Sequence, residues 1–441
     1  MRIQITIIII VIIVSILMGV AYIWSTNKFE IVSDAENSAE PTSAAFSAEE
    51  DNNQQESVRP QPENQLLLRT IKSERQDAFS LANEMNEAGK AGMTEEKTML
   101  IKQRPSSLRI NYREQEGSIF ELPIKGATGW AAHALTIRSE PQQNSEPVIP
   151  LEPGQAFTIL GEDGNWWRVR LEDGTEGWAV HGGCFINLPD VLPSIVYDAT
   201  NAYSSMKRSS GYEIPNITGQ AHYEAIAYNE RFDRVEFFVP ALYATSKKIA
   251  AVQAAALAGG NTLIVHEVFR PWETQQAVVR NLTDLVNSNA EVRRAITTPP
   301  WSMGAFIATS MSNHQRGAAI DVSLASIATQ ENMESGDYIY PYITGFREYE
   351  MPSLMHELSP LAAPGGRATE GSMLLRSYFT SEGFGTVGSE WWHFDDRAGI
   401  GLAANHGVTG GFYAASILSE PPVFDGLPNL SMDAGHQGAA A

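Results

Sequence analysis

Cysteine is nearly missing from this chain: Cys184 is the single one among 441 residues. No disulfide can form within the chain, and no cysteine-based metal cluster can be built. A lone thiol beside a β-prone run reads as a small buried hydrophobe. Basic residues are also scarce, 31 Lys and Arg against 52 Asp and Glu, for a formal charge of -21. That balance excludes a nucleic-acid binder, which needs a basic surface for phosphate, and electrostatic adhesion to anionic lipid. Long apolar runs are limited to residues 5–24, about the twenty residues that span a bilayer. Arg2 precedes the run, Lys28 and a string of acids follow it, and Gly19 and Ala21 offer a signal-peptidase site. Residues 1–25 therefore read as a membrane anchor or as a cleaved signal peptide. Either reading exports the rest of the chain, held at the cell membrane facing the periplasm or cell wall, or secreted if the signal is cleaved. The membrane contact expected is through this helix alone.

What is present divides into segments. Residues 30–64 carry nine acids against one base, Arg59, too little apolar surface to fold. Together with a charge-rich stretch that reads as helical, this makes 26–112 a linker and stalk. Between 120 and 188 short β-prone runs alternate with turn signals at Pro153-Gly154, Asp163-Gly164 and Asp173-Gly174, the pattern of a small all-β barrel. From 189 to 420 the pattern is mixed α and β. Residues 241–258 read as an alanine-rich helix closed by Gly259-Gly260, 261–269 as a strand stopped by Pro271, and 273–296 as a helix. Residues 319–324 alternate, with Ile320, Val322 and Leu324 on one face and Asp321 on the other. Residues 421–441 read as a peripheral tail.

Two fragments carry the chemistry. The first runs from Ser312 through His314, Gly317 and Asp321; the second is Glu390-Trp391-Trp392-His393-Phe394. They supply two imidazoles, one ligand carboxylate and one spare carboxylate, the parts of a hydrolytic zinc site with an open position for water. His314 comes from a loop, Gly317 permits the turn, and Asp321 comes from the strand behind it. His393 is the third ligand to a single Zn2+. Glu390 stays off the metal as general base, with tryptophans beside it to desolvate the carboxylate and raise its pKa. The other seven histidines, His356 among them, read as structural.

The barrel segment resembles a bacterial SH3-like domain. Leu135-Thr-Ile-Arg-Ser-Glu-Pro141, Trp166-Trp-Arg-Val169 and Gly174-Thr-Glu-Gly-Trp178 stand where that family has its signatures, with Glu140 in place of its usual Gly. The resemblance implies a barrel that either binds peptidoglycan or packs on the catalytic domain. Trp166, Trp167 and Trp178 read as barrel core, with a wall-binding role as the alternative. The S-x-H-x-x-G-x-A-x-D and E-W-W-H fragments, in this order, resemble the zinc D-Ala-D-Ala metallopeptidases, and most of all the VanX-type D-alanyl-D-alanine dipeptidases. Tyr197-Asp-Ala-Thr-Asn-Ala-Tyr203 and Val268-Phe-Arg-Pro271 follow the same family order. The resemblance implies that His314, Asp321 and His393 bind zinc and that Glu390 is the base. It further implies that Arg270 stabilises the oxyanion and that Ser312 helps hold a substrate terminus. The family's carboxylate-bearing D-M-G-T-x-F-D stretch falls on 350–356, where Glu350 replaces the first Asp and Met355-His356 replace the final F-D. Glu350 is thus the expected substrate-binding acid, and the long gap from Asp321 implies an insertion. The fold expected is an α+β catalytic domain whose small antiparallel sheet carries the zinc site, after the SH3-like barrel. The expected substrate is D-Ala-D-Ala or a peptidoglycan stem peptide, cleaved by a dipeptidase or by a D,D- or L,D-carboxypeptidase or endopeptidase. A wall-binding module with structural zinc is the non-enzymatic alternative.

Overall fold

The computed structural model describes residues 110–111, 119–198 and 205–410, apart from positions 221, 224, 225, 230, 233, 336, 337 and 366. The apolar run at 5–24, the acidic linker, all of the stalk but 110–111, Tyr203 and the tail beyond 410 lie outside the described residues. Among those described, no helix is long and apolar enough to cross a membrane.

The barrel strands pair mostly with neighbours in sequence. Ala156–Asp163, Trp166–Arg170 and Glu176–Val180 form an antiparallel run, and Thr128–Ala131 joins Ala156–Asp163 to Cys184–Asn187. Period-two alternation sends Ile137, Phe157, Ile159, Trp167, Val169 and Ala179 inward, all fully buried. Trp166 and Trp178 stay partly exposed on the outer face, so of the three tryptophans expected in the core only Trp167 is there. Cys184 is buried, and burial pushes its thiol pKa up. The barrel does not end at 188. Pro240–Leu242, from the following region, adds an eighth strand by pairing with Cys184–Asn187. The helix that follows, Tyr243–Ala258, sets Tyr243 edge-on to Trp167 at 4.6 Å. One apolar cluster therefore runs from barrel to catalytic region without a break.

The region after the barrel is built on a seven-stranded sheet. Its centre is a long strand, Ala319–Ser335, of which the alternating run 319–324 is only the beginning. Asn261–Glu267 pairs antiparallel along one side. On the other side His393–Asp395 pairs with residues 319–321, and Tyr338–Glu348 pairs with the remainder. Only the two short edge pairings, by Val196–Tyr197 and Ile110–Asn111, are parallel. The insertion implied by the long gap after Asp321 is this outer hairpin, whose Tyr338 and Tyr340 bury themselves against Leu122. The single helix expected over 273–296 is two, Trp272–Ser288 and Ala290–Thr297. Asn289 breaks it because its side chain caps the second helix, accepting from the N–H groups of Glu291 and Val292.

Candidate active site

Sheet register brings the distant motifs together. Asp321 sits opposite Glu267 on one neighbouring strand and opposite His393 on the other. Residues directly opposite share a face, so three side chains separated by up to 126 positions in the chain line up across three strands. Ile320, Val322 and Leu324 face the core, and Asp321 faces the cleft although it too is buried. His314 arrives on a short 3-10 turn, Asn313–Arg316, capped at its start by Ser312 Oγ, which accepts the His314 N–H at 3.3 Å. The turn closes on Gly317 at φ 61, where any Cβ would meet Leu242 N at 2.8 Å and the Phe185 ring. The barrel's last strand and its added partner thus press directly on the loop that carries His314.

The three expected ligands converge. His314 Nε2 lies 3.2 Å from His393 Nδ1 and 3.3 Å from Asp321 Oδ1, and His393 Nδ1 lies 3.1 Å from Asp321 Oδ1. A tetrahedral zinc with bonds of about 2.0–2.1 Å sets its ligands about 3.3 Å apart, so the triangle fits. The far sides of both rings are fixed. His314 Nδ1–H donates to the Val268 carbonyl at 2.9 Å, and His393 Nε2–H donates to Asp395 Oδ1 at 3.1 Å. Each ring therefore presents its other nitrogen to the shared point, the arrangement metal-ligating imidazoles use. Asp395 also accepts from Asn313 Nδ2 at 2.9 Å, which ties the two motifs together. Burial lowers the His314 pKa. Burial alone would do the same to His393, but hydrogen bonds to Asp321 and Asp395 outweigh it and lift it to about 10 without a metal. A cation at the triangle replaces that proton.

Glu390 reaches within 3.9 Å of His393 Nδ1, and burial raises its carboxyl to about 7. Arg270 is buried with Nη2 3.0 Å from Asp321 Oδ2. Both line a cavity of ≈ 210 Å³ together with the three ligands and Ser312. Glu350 does not line it; its backbone carbonyl accepts from Thr369 Oγ1 at 2.6 Å, at the start of the helix Glu370–Ser381.

Three residues join the site that sequence reasoning did not place there. His356, read as structural, donates Nε2–H to Asp321 Oδ2 at 3.0 Å. It is buried, burial holds its pKa down to about 3, and its backbone sits at φ 60, a conformation rare outside glycine. Glu267 accepts from Arg270 Nε at 2.8 Å and again from Arg270 Nη2. Lys207 lies 3.4 Å from Glu267; burial, then Arg270, lowers its pKa to about 8. Glu267, Asp321 and His356 also bring ligand atoms within 4.8 Å of one another. The Arg270 and Lys207 cations already occupy Glu267, so this second group is an ion-pair network. The sequence signals were an acid, Glu267, closing an apolar strand just before Arg270-Pro271, and His356 standing at the last position of the family's carboxylate-bearing stretch; Lys207 had none.

Both regions are similar to known proteins. Residues 133–184 match the bacterial SH3 domain family, and residues 241–406 match the D-ala-D-ala dipeptidase family of peptidases. The chain is 29% identical over 181 residues to a D-alanyl-D-alanine dipeptidase of Escherichia coli (strain K12), which spans 41% of this chain and 72% of that protein. The chain thus carries a bacterial SH3 domain followed by a peptidase domain of the D-ala-D-ala dipeptidase type.

Proposed function

We propose that this chain is a zinc-dependent peptidase that hydrolyses the D-Ala-D-Ala bond in cell-wall metabolism. The observation that carries the reading is the triangle of His314 Nε2, Asp321 Oδ1 and His393 Nδ1, with Glu390 beside it on the same cavity. One zinc ion held there would supply Lewis-acid polarisation of the scissile carbonyl and acidify the attacking water. Glu390 takes the proton from that water and passes it to the leaving amine, a role its raised pKa suits. Arg270, held rigid by Glu267, Asp321 and Gln275, faces the negative charge that develops on the carbonyl oxygen. No side chain acts as nucleophile.

A second reading keeps this chemistry and changes the substrate to a peptidoglycan stem peptide. Two observations favour it: the SH3 domain, and the 350–356 segment, where His356 stands in place of the family's carboxylate and is tied to Asp321. Assays of free D-Ala-D-Ala and of a stem pentapeptide, before and after chelation and zinc restoration, test both. Zinc-dependent release of alanine from the dipeptide is the expected result. Cleavage of the pentapeptide alone moves the enzyme to the second reading, and turnover that survives chelation rules out the zinc mechanism. We place the enzyme on the exported side of the membrane through residues 5–24; recovery of the full chain in the cytosolic fraction would contradict this.

A further inference from the structure

Two cations line the cavity, Lys207 and Arg270, and they differ in how far the protein already satisfies them. A guanidinium has five N–H donors. Arg270 directs Nε and Nη2 to Glu267, Nη2 also to Asp321 Oδ2 at 3.0 Å, and Nη1 to Gln275 Oε1 at 2.8 Å. An ammonium has three donors. Among the described residues, Lys207 Nζ has one hydrogen-bond partner, Glu267 Oε2 at 3.4 Å, an oxygen that Arg270 holds at closer range. The Lys207 side chain is nonetheless only 3% exposed. A buried ammonium with uncommitted N–H groups is costly unless an acceptor reaches it.

Lys207 is also held in place. Its N–H donates to Ser205 Oγ at 3.2 Å, and its carbonyl accepts from Thr218 Oγ1 at 2.6 Å. The next residue, Arg208, pairs with the segment that follows His356: its N–H donates to the His356 carbonyl at 3.1 Å, and its carbonyl accepts from the Leu358 N–H at 2.7 Å. Oxygens of the Glu357 carboxylate take the N–H groups of Ser210 and Gly211, which locks the loop. This is a fixed cation on the cavity wall, on the Glu267 side of Asp321.

We propose that Lys207 binds the free C-terminal carboxylate of the substrate, so that the enzyme cleaves at the carboxyl end of a peptide and not within a chain. The inference rests on the peptidase reading above and adds a specificity residue to it. A carboxylate at Lys207 completes the donors of the ammonium with a charge-assisted hydrogen bond. A C-terminal amide or a continuing chain brings no anion there.

The test uses the zinc-loaded full chain, the Lys207→Met and Lys207→Arg variants, and one peptide ending in D-Ala-D-Ala made as free acid and as C-terminal amide. The wild type is expected to favour the acid in kcat/KM. Lys207→Met should lower turnover of the acid roughly 10- to 100-fold and leave the amide nearly unchanged, with Lys207→Arg restoring part of the preference. Equal turnover of acid and amide by the wild type, or an equal loss on both in Lys207→Met, overturns the proposal. Calorimetric binding of both peptides to the Glu390→Gln protein, with and without Lys207→Met, separates the two levels. Lys207-dependent preference for the acid without hydrolysis by the wild type sinks the peptidase reading and keeps the carboxylate site. Hydrolysis with equal binding of acid and amide does the reverse.

Discussion

The barrel and the catalytic sheet bury opposite kinds of side chain. The barrel interior is mainly apolar, from Ile137 and Phe157 to Trp167 and Val169; Thr128, Thr158 and Asn187 are buried polar side chains on its strands, and ion pairs such as Arg168 with Glu176 stay outside. The catalytic sheet buries Lys207, Glu267, Arg270, Asp321, His314 and His356, each at most 7% exposed. An apolar interior stabilises in proportion to the area it removes from water. A buried set of charges costs free energy unless every member finds a partner. The barrel is therefore a solution to packing. The cleft is a place where the fold carries polar groups because their chemistry requires them, and the barrel adjoining it supplies part of the stability. Gly317, caught between Leu242 and Phe185, is one place where the two regions touch tightly.

Four experiments would break or sharpen that contrast. Glu390→Gln is isosteric and should lower kcat on D-Ala-D-Ala by about 10²- to 10⁴-fold, with zinc content and urea midpoint unchanged; a variant that keeps its rate would end the general-base assignment. Trp167→Ala empties the barrel core against Tyr243 and should cost about 3–5 kcal/mol in urea unfolding. Because one apolar core spans both regions, activity and tryptophan fluorescence should be lost in one transition; two separated transitions would make the barrel an independent module. Asp395→Asn loosens His393 while leaving the ligand set intact, and should weaken zinc about 10- to 100-fold in a competition titration with a chromogenic chelator. An unchanged zinc affinity would leave Asp395 with no part in holding the ring. Arg168→Ala, on the exposed barrel face, should change stability by no more than about 1 kcal/mol. A larger loss would mean that the outer face contributes more than the contrast allows.

Much of the candidate site was legible because its His, Asp and Glu residues lie in two short motifs. His314 and Asp321 are seven residues apart around one turn, and Glu390 and His393 three apart, so local chemistry announced them. Lys207 was not legible, and Glu267 and His356 carried only weak signals, an acid at a strand end and a substituted position in a family stretch. Lys207 follows a segment with no periodicity, and His356 lies beyond an inserted hairpin of uncertain length in sequence. Both reach the cleft through a single bridge between Arg208 and Glu357. Glu350 drew attention as an acid in the right stretch, but the chain turns between it and His356 and delivers the imidazole instead. In the barrel the strands and turns followed from alternation and from glycine. The eighth strand, Pro240–Leu242, did not, because an edge pairing between segments some fifty residues apart leaves no local pattern.

Composition and short-range pattern by themselves determined that an acidic, almost cysteine-free chain holds a small barrel and a mixed α and β region with a His, Asp, His and Glu set. These follow from local chemistry: turn residues, period-two alternation, and ligand types at close spacing. Only the tertiary structure decided that Asp321 stands between Glu267 and His393. It also decided that His356 grips the second oxygen of Asp321, and that Lys207 faces the cavity with one hydrogen-bond partner among the described residues. Those facts depend on strand register and on closing long loops. Register is set by which faces can be buried together across the whole sheet, and no window of sequence contains that information.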